Sequence, residues 1–241
     1  MGIDMYFLSL LNGSNSVFMD ALMVTLTDGL TWIALYIALA ILVIKNNKTV
    51  AQILLIFACV FACVLFSGIF NDLIVKPYFE RPRPINDFEV QEMVHMSSGY
   101  QASGYSFFSS HSANTFAIAV FFSLLTRSRM ISISLISWAV VNAYTRLYLG
   151  VHWFSDVAIG MLWGILIGIV SYIVYNRLYY RISPHAKYIS SHYTSTGYCH
   201  TDIDMVISVL VFTLLYSVII SLYCEKQNCL SSISGYVHLM S

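Results

Sequence analysis

The sequence predicts an all-α fold: a polytopic membrane bundle of about six transmembrane helices with an N-terminal interfacial amphipathic helix. Three observations predict it. The chain is 58% hydrophobic and only 10% charged, whereas soluble domains are about one quarter charged, so it cannot clothe itself in a water-facing surface. Its mean hydropathy is +0.73. Its apolar residues are gathered into runs close to the roughly 20 residues that a spanning helix needs. The 241 residues suit one domain over 1–241, with no room for a second.

The elements follow in order. Residues 5–27 form a weak apolar segment interrupted by Asn12, Gly13, Asn15 and Asp20. It reads as an amphipathic helix lying in the membrane interface, with a seventh span as the alternative. The spans are 29–44, 51–75, 112–126, 131–147, 155–175 and 205–223, the last lying outside a core of 29–175. There are no internal repeats or low-complexity tracts. The first residues lack the basic region of a cleavable signal peptide. Cys59 and Cys63, four apart, share a helix face but lack the C-x-x-C spacing of redox or zinc motifs, so they read as buried core cysteines. Cys224 and Cys229 are left either paired or free.

Basic residues predict the orientation. Lys45 and Lys48, Arg127 and Arg129, and Arg177, Arg181 and Lys187 fall in alternate loops, on one side. Short basic loops stay in the cytoplasm. Lys76, Arg81, Arg83, Arg146 and Lys226 fall on the other side, with residues 76–111 and 146–155 and both termini. The net charge of zero offers no field for nucleic acid.

Polar residues near membrane level concentrate in three stretches on that non-cytoplasmic side. They are 76–84 (KPYFERPRP), 108–111 (FSSH) and 146–156 (RLYLGVHWFSD). Taken singly, each has an ordinary structural reading. Lys76 and Arg83 suit snorkelling cations, His111 a satisfied polar residue, and His152 with Asp156 a hydrogen-bonded pair one helical turn apart. Together Lys76, Arg83 and Arg146, His111 and His152, Ser109 and Asp156 supply three cations, two histidines, a hydroxyl and a carboxylate on one surface. Phosphoryl transfer needs that set: cations for the anionic oxygens, a nucleophile, an orienting group and an acid.

The spacing of these blocks resembles the type 2 phosphatidic acid phosphatase superfamily, whose signature is K-x6-R-P, P-S-G-H and S-R-x5-H-x3-D. The first block matches in Lys76, Arg83 and Pro84; the third matches in Arg146, His152 and Asp156, with Thr145 in place of Ser. The second keeps Ser109 and His111 but has Phe108 for Pro and Ser110 for Gly. Serine retains the backbone N–H with which the glycine holds phosphate, provided the backbone is open to L-residues, and its hydroxyl offers a further donor. The Ser-Ser-His form resembles a branch found in bacteria with an outer membrane.

The resemblance implies roles. His152 is the nucleophile and forms a phosphohistidine. Asp156 fixes its tautomer, and His111 is the general acid and then the base. Lys76, Arg83 and Arg146 bind phosphate oxygens, and Ser109, Ser110 and their N–H groups add donors at a helix start. No cofactor or metal is implied, and the blocks hold no metal-binding cluster. His185, His192, Cys199 and His200 share one hydrophilic loop but fit no zinc spacing.

The loop from Pro77 to Ser110 carries Glu80, Asp87, Glu89, Glu92 and His95, with Gly99 and Gly104 suited to hinges. It reads as a lid or substrate gate, or as a solvated cap, whose acidic residues counterbalance the cations; Asp72, four before Lys76, pairs with it. The expected partners are the bilayer and a lipid phosphate, with no nucleic acid and no obligate protein. Family substrates include lipid A phosphates, undecaprenyl diphosphate, phosphatidylglycerol phosphate and phosphatidic acid. The reading leans to a lipid A 4′-phosphatase of the inner membrane whose site faces the periplasm, with undecaprenyl diphosphatase next. A transporter with a charged pathway and a vanadium haloperoxidase, soluble where this chain is not, are the rival classes.

Overall fold

A computed structural model describes residues 2–14, 16–95, 100, 102–182 and 191–227. In hydrocarbon a backbone must satisfy its own hydrogen bonds, and the apolar runs accordingly form helices. These are α1 (Ile3–Leu11), α2 (Val17–Thr27), α3 (Ile33–Asn46), α4 (Val50–Val64), α5 (Lys76–Phe79), α6 (Ser110–Thr126), α7 (Arg129–Tyr148), α8 (Phe154–Ile182) and α9 (His200–Gln227). π-helical turns at Leu65–Ile69 and Asn71–Val75 join α4 to α5 in one helical rod. Such turns often mark functional sites.

Among the described residues, five helical stretches are long and apolar enough to cross a membrane: Gly29–Asn46, Val50–Asn86, Arg129–Tyr148, Phe154–Arg181 and His200–Lys226. The segment expected as the third span is α6, which has 17 residues and is buried over most of its length against α4, α7 and α8. Its seam with α8 depends on glycine. A Cβ at Gly160, Gly164 or Gly168 would meet the carbonyl oxygens of Ser109, Ala113 or Ala117 at 2.6, 2.3 and 2.7 Å. Bare glycines at four-residue spacing let the two backbones touch. Around the core, which includes Trp32, Leu42, Ile56, Phe121, Leu135 and Trp138, large apolar side chains such as Leu54, Phe61, Leu162, Phe212 and Ile219 are exposed. That exterior is suited to lipid, not water.

The N-terminal segment departs from the expected single interfacial helix. Residues 5–27 contribute to two helices, and α2 buries Asp20, Ala21, Met23, Val24, Leu26 and Thr27 within the protein. The polar interruptions are structural partners here. Asn12 Nδ2 donates to the carbonyls of His95 (3.2 Å) and Tyr148 (2.9 Å), and Asp20 Oδ1 accepts from Tyr148 Oη at 2.7 Å. They satisfy backbone and hydroxyl groups that would otherwise lie buried without partners.

Polar contacts gather at two ends of the bundle. One end gathers the loops of Lys45 and Arg127 with residues 194–202, through Lys45–Asp202, Asn47–Tyr198 and Thr196 Oγ1 on the Thr126 carbonyl, and Arg127 also donates to Tyr172 Oη of α8. The other carries the three polar stretches. Lys187, His185 and Cys229 lie outside the described residues, as do Gly99 and Asn15.

Candidate active site

Each stretch is held by a different element. The first runs from the end of the α4–α5 rod into a 3-10 turn at Pro84–Asn86. Ser109 caps α6, its Oγ accepting from Ser112 N, and Ser110 and His111 form the first turn. Arg146 lies in the last turn of α7, and Asp156 in the first turn of α8. Between them Gly150 has φ +65°, where a Cβ would meet Val94 Cγ1 at 2.4 Å, so glycine is needed for the turn that delivers His152.

His152 is 1% exposed, and its two ring nitrogens have different surroundings. Arg83 Nη1 lies 3.2 Å from Nε2. A guanidinium can only donate, so Nε2 accepts and the ring proton sits on Nδ1. On that side Ser106 Oγ is 3.3 Å away and itself donates to Asp156 Oδ2. Asp156 Oδ2 stands 3.7 Å from Nδ1 and accepts the Trp153 N–H at 3.1 Å. The Ser106 hydroxyl therefore bridges the histidine and the carboxylate. Burial first, then the charges of Arg83, Arg146 and Lys76, hold the His152 imidazole well below the ordinary histidine range. It is neutral near pH 7, with its lone pair turned to Arg83.

The cations are secured largely by neutral oxygens. Buried Arg83 donates to the carbonyls of Gly104 (3.0 Å), Val151 (2.8 Å) and Ser103 (2.8 Å). Gly104, expected as a hinge, has φ +71° and turns the chain beside the carbonyls that receive Arg83. Arg146, 2% exposed, donates to Thr27 Oγ1 (2.5 Å) and Tyr100 Oη (3.1 Å), and its Nε has no partner among the described residues. Lys76 pairs with Asp72 at 2.6 Å, as the four-residue spacing predicts. His111 is exposed and lies within electrostatic reach of Arg146, His152, Lys76 and Arg83. The arrangement leaves positive charge beside a buried neutral imidazole, which suits an anionic group under attack.

The second block's departures each have a local account. Ser110 is helical, so the backbone accepts a side chain. Its hydroxyl, expected as a further donor to phosphate, instead donates to Asp72 Oδ1 (2.7 Å) and accepts from Asn71 Nδ2 (2.8 Å). Ser110 thus ties α6 to the π-helical turn. Phe108 is buried near Trp163, with ring centroids 6.1 Å apart, and its carbonyl accepts from Asn71 Nδ2 at 2.7 Å. Thr145 keeps the hydroxyl of the usual serine, donating to the Asn142 carbonyl at 2.7 Å.

The 77–110 loop is anchored where it is described. Ile85, Val90 and Val94 join Leu8, Met23, Val24, Tyr148 and Trp153 in a second apolar cluster, and His95 Nε2 lies 3.2 Å from Asp20 Oδ2. This part is a packed cap. Glu80, Glu89 and Glu92 are exposed, and among the described residues none pairs with the site cations. Nor do three His, Cys, Asp or Glu side chains gather as a metal-binding group among them.

Several residues at the site are not motif positions: Ser106, Arg81, Asp4, Thr27 and Tyr100. Arg81 Nη1 donates to Asp156 Oδ1 at 2.5 Å, and Thr27 and Tyr100 hold Arg146. Arg81 had a visible signal, an extra arginine two before Arg83. The others reach the site only through tertiary packing.

Comparison with known proteins agrees with this geometry. Residues 53–180 match the PAP2 superfamily. A protein of Bacteroides thetaiotaomicron named lipid A 4′-phosphatase is 30% identical over 181 residues, covering 75% of this chain and 80% of that protein. A protein of Porphyromonas gingivalis with the same name is 29% identical over 165 residues, 68% of this chain and 70% of that protein. No solved structure matches significantly. With its motif blocks converged at one end of a membrane helix bundle, the chain belongs to the PAP2 superfamily and is a multi-pass membrane lipid phosphatase, a phosphomonoester hydrolase.

Proposed function

We propose that this phosphatase removes the 4′-phosphate of lipid A at the periplasmic face of the inner membrane, through a phosphohistidine on His152 and without a metal or cofactor. The observation that carries the mechanism is the polarity of His152. Its acceptor nitrogen Nε2 meets Arg83, and its proton-bearing nitrogen meets Ser106 and Asp156. Nε2 attacks phosphorus while Arg83, Arg146, Lys76 and the N–H groups of Ser109 and Ser110 take the phosphoryl oxygens. Asp156 stabilises the charge that develops on the ring. His111 protonates the leaving alkoxide, then draws a proton from the water that hydrolyses the intermediate.

The substrate reading rests on the two relatives' names and on the Ser-Ser-His form of the second block. The periplasmic reading rests on the charge pattern: the basic loops cluster at the end opposite the site, and such loops stay cytoplasmic. Phosphate release by the purified full chain from lipid A, undecaprenyl diphosphate and phosphatidylglycerol phosphate tests the choice. The expected result is fastest release from lipid A, with mass spectrometry assigning the loss to the 4′ position. A clear preference for either other lipid overturns the substrate, and loss of the 1-phosphate overturns the position.

A further inference from the structure

The contacts that steady Asp156 reach outside the family-matched residues 53–180. Asp156 is fully buried, and a buried carboxylate needs partners for both oxygens. Oδ2 faces Ser106 and the Trp153 N–H. Oδ1 takes Arg81 Nη1. The other arm of the same guanidinium, Nη2, donates to Asp4 Oδ2 at 2.6 Å, and Arg81 lies over the Trp153 ring, 5.3 Å from its centroid. Asp4 closes the circuit on α8: Oδ1 accepts the Ser155 N–H at 2.8 Å and Oδ2 the Ser155 hydroxyl at 2.7 Å. Phe7, one turn on in α1, stacks on Phe154 with centroids 4.0 Å apart and planes 17° from parallel.

We infer that Asp4 is a positioning residue for the reaction: by holding Arg81, it fixes the Asp156 carboxylate and hence the orientation of His152. The inference rests on the histidine-nucleophile reading. Arg81 has a 30% exposed side chain; Asp156 and Ser155 Oγ (2.8 Å) hold its Nη1, and Asp4 holds its Nη2. A planar guanidinium clamped by a carboxylate at each terminal nitrogen has one orientation left. Oδ1 of Asp156 is then fixed, and Oδ2 is presented to Ser106 and the His152 Nδ1 side. Without Asp4, Arg81 loses its Nη2 anchor and Ser155 loses the carboxylate that orients it, so the guanidinium is free to tilt and the Asp156 carboxylate with it. The N-terminal helix is thereby part of the catalytic apparatus, although it lies outside the motif blocks.

The test uses the full chain in detergent micelles containing lipid A, with Asp4→Asn, Asp4→Glu, Arg81→Gln and the Asp4→Asn/Arg81→Gln double variant. Asp4→Asn is expected to lower kcat about tenfold while KM stays within about twofold, the pattern of lost alignment and not of lost binding. Asp4→Glu recovers most of the rate. The double variant is no slower than Arg81→Gln alone, because Asp4 acts through Arg81. A helix that merely holds the fold together predicts a lower melting temperature with normal kcat per folded molecule. That result, or additive losses, overturns the proposal. Ser155→Ala, which removes one hydroxyl of the circuit, repeats the test more gently if Asp4→Asn folds poorly.

A readout without turnover separates this proposal from the phosphatase reading. In histidine NMR of the substrate-free protein, the His152 signal, assigned by its loss in His152→Asn, moves in Asp4→Asn and returns in Asp4→Glu. An unmoved His152 signal overturns the coupling. A moved signal in a protein that hydrolyses no lipid phosphate supports the coupling and overturns the phosphatase reading.

Discussion

The two ends of the helix bundle both carry buried or half-buried polar groups, but they balance charge in opposite ways. At the end of residues 194–202, the groups around Asp202 have matched partners. Lys45 meets Asp202, whose other oxygen accepts Asn46 Nδ2 at 3.0 Å; Asn46 Oδ1 accepts the Cys199 N–H at 2.7 Å; Gln52 and Thr49 cap α4 reciprocally. At the motif end Lys76 and Arg81 meet carboxylates, but Arg83 and Arg146 are held by carbonyls, hydroxyls and a neutral imidazole, and among the described residues neither meets a carboxylate. Neutral acceptors fix a guanidinium without cancelling its charge. The first end is built to be finished when folded. The second is left electrically open, and an arriving phosphate completes it. The comparison teaches that a buried cation's partners say more about function than its burial does.

Perturbing the open end should cost catalysis, and perturbing the closed end should not. The largest expected effect among the charge variants is for Arg146→Ala, which removes a buried cation whose Nε lacks a partner. Losing one such electrostatic donor costs about a hundred- to a thousandfold in kcat, read as phosphate release per folded molecule. A loss below tenfold would deny Arg146 a place at the phosphate. His111→Ala follows, with a loss on the order of a hundredfold, largest for a poor leaving group and smallest for an activated ester such as a nitrophenyl phosphate. Equal losses for both substrates would remove the acid role.

The next effect is on titration. Folded His152 takes up a proton only well below the ordinary value of 6.5, because burial and three cations oppose its charged form. In substrate-free protein its NMR signal therefore stays that of neutral imidazole at pH 6, where an ordinary histidine is mostly protonated. A midpoint at or above 6.5 would contradict the described environment. The smallest effect belongs to the closed end. Lys45→Ala or Asp202→Asn leaves kcat unchanged and lowers the melting temperature modestly; a large loss of turnover there would erase the contrast between the ends.

Much of this was legible in the sequence. Lys76, Arg83, His111, Arg146, His152 and Asp156 are grouped by spacing, because motifs report residues that local turns hold at fixed offsets. The spans were legible because lipid tolerates little but helix there. What escaped depends on long-range closure. Asp4 meets Arg81 across 77 residues, and Arg81 meets Asp156 across 75. No local pattern encodes those pairs. Asn12 and Asp20 read as breaks in an apolar segment because their partners, Tyr148 and His95, lie far along the chain. Gly160, Gly164 and Gly168 did have a readable period of four, and it marks the α6–α8 seam on which Ser109 sits. The contacts of the Ser110 hydroxyl were not legible, because its neighbours Asn71 and Asp72 reach it only through the π-helical turn.

The central claim is that His152 carries the phosphoryl group. Rapid quenching of the full chain with phosphate-labelled lipid, followed by peptide mapping, tests it most directly. The account predicts an acid-labile, base-stable label on the peptide containing His152, and neither label nor turnover in His152→Ala. Label on another residue, or turnover retained in His152→Ala, would contradict it.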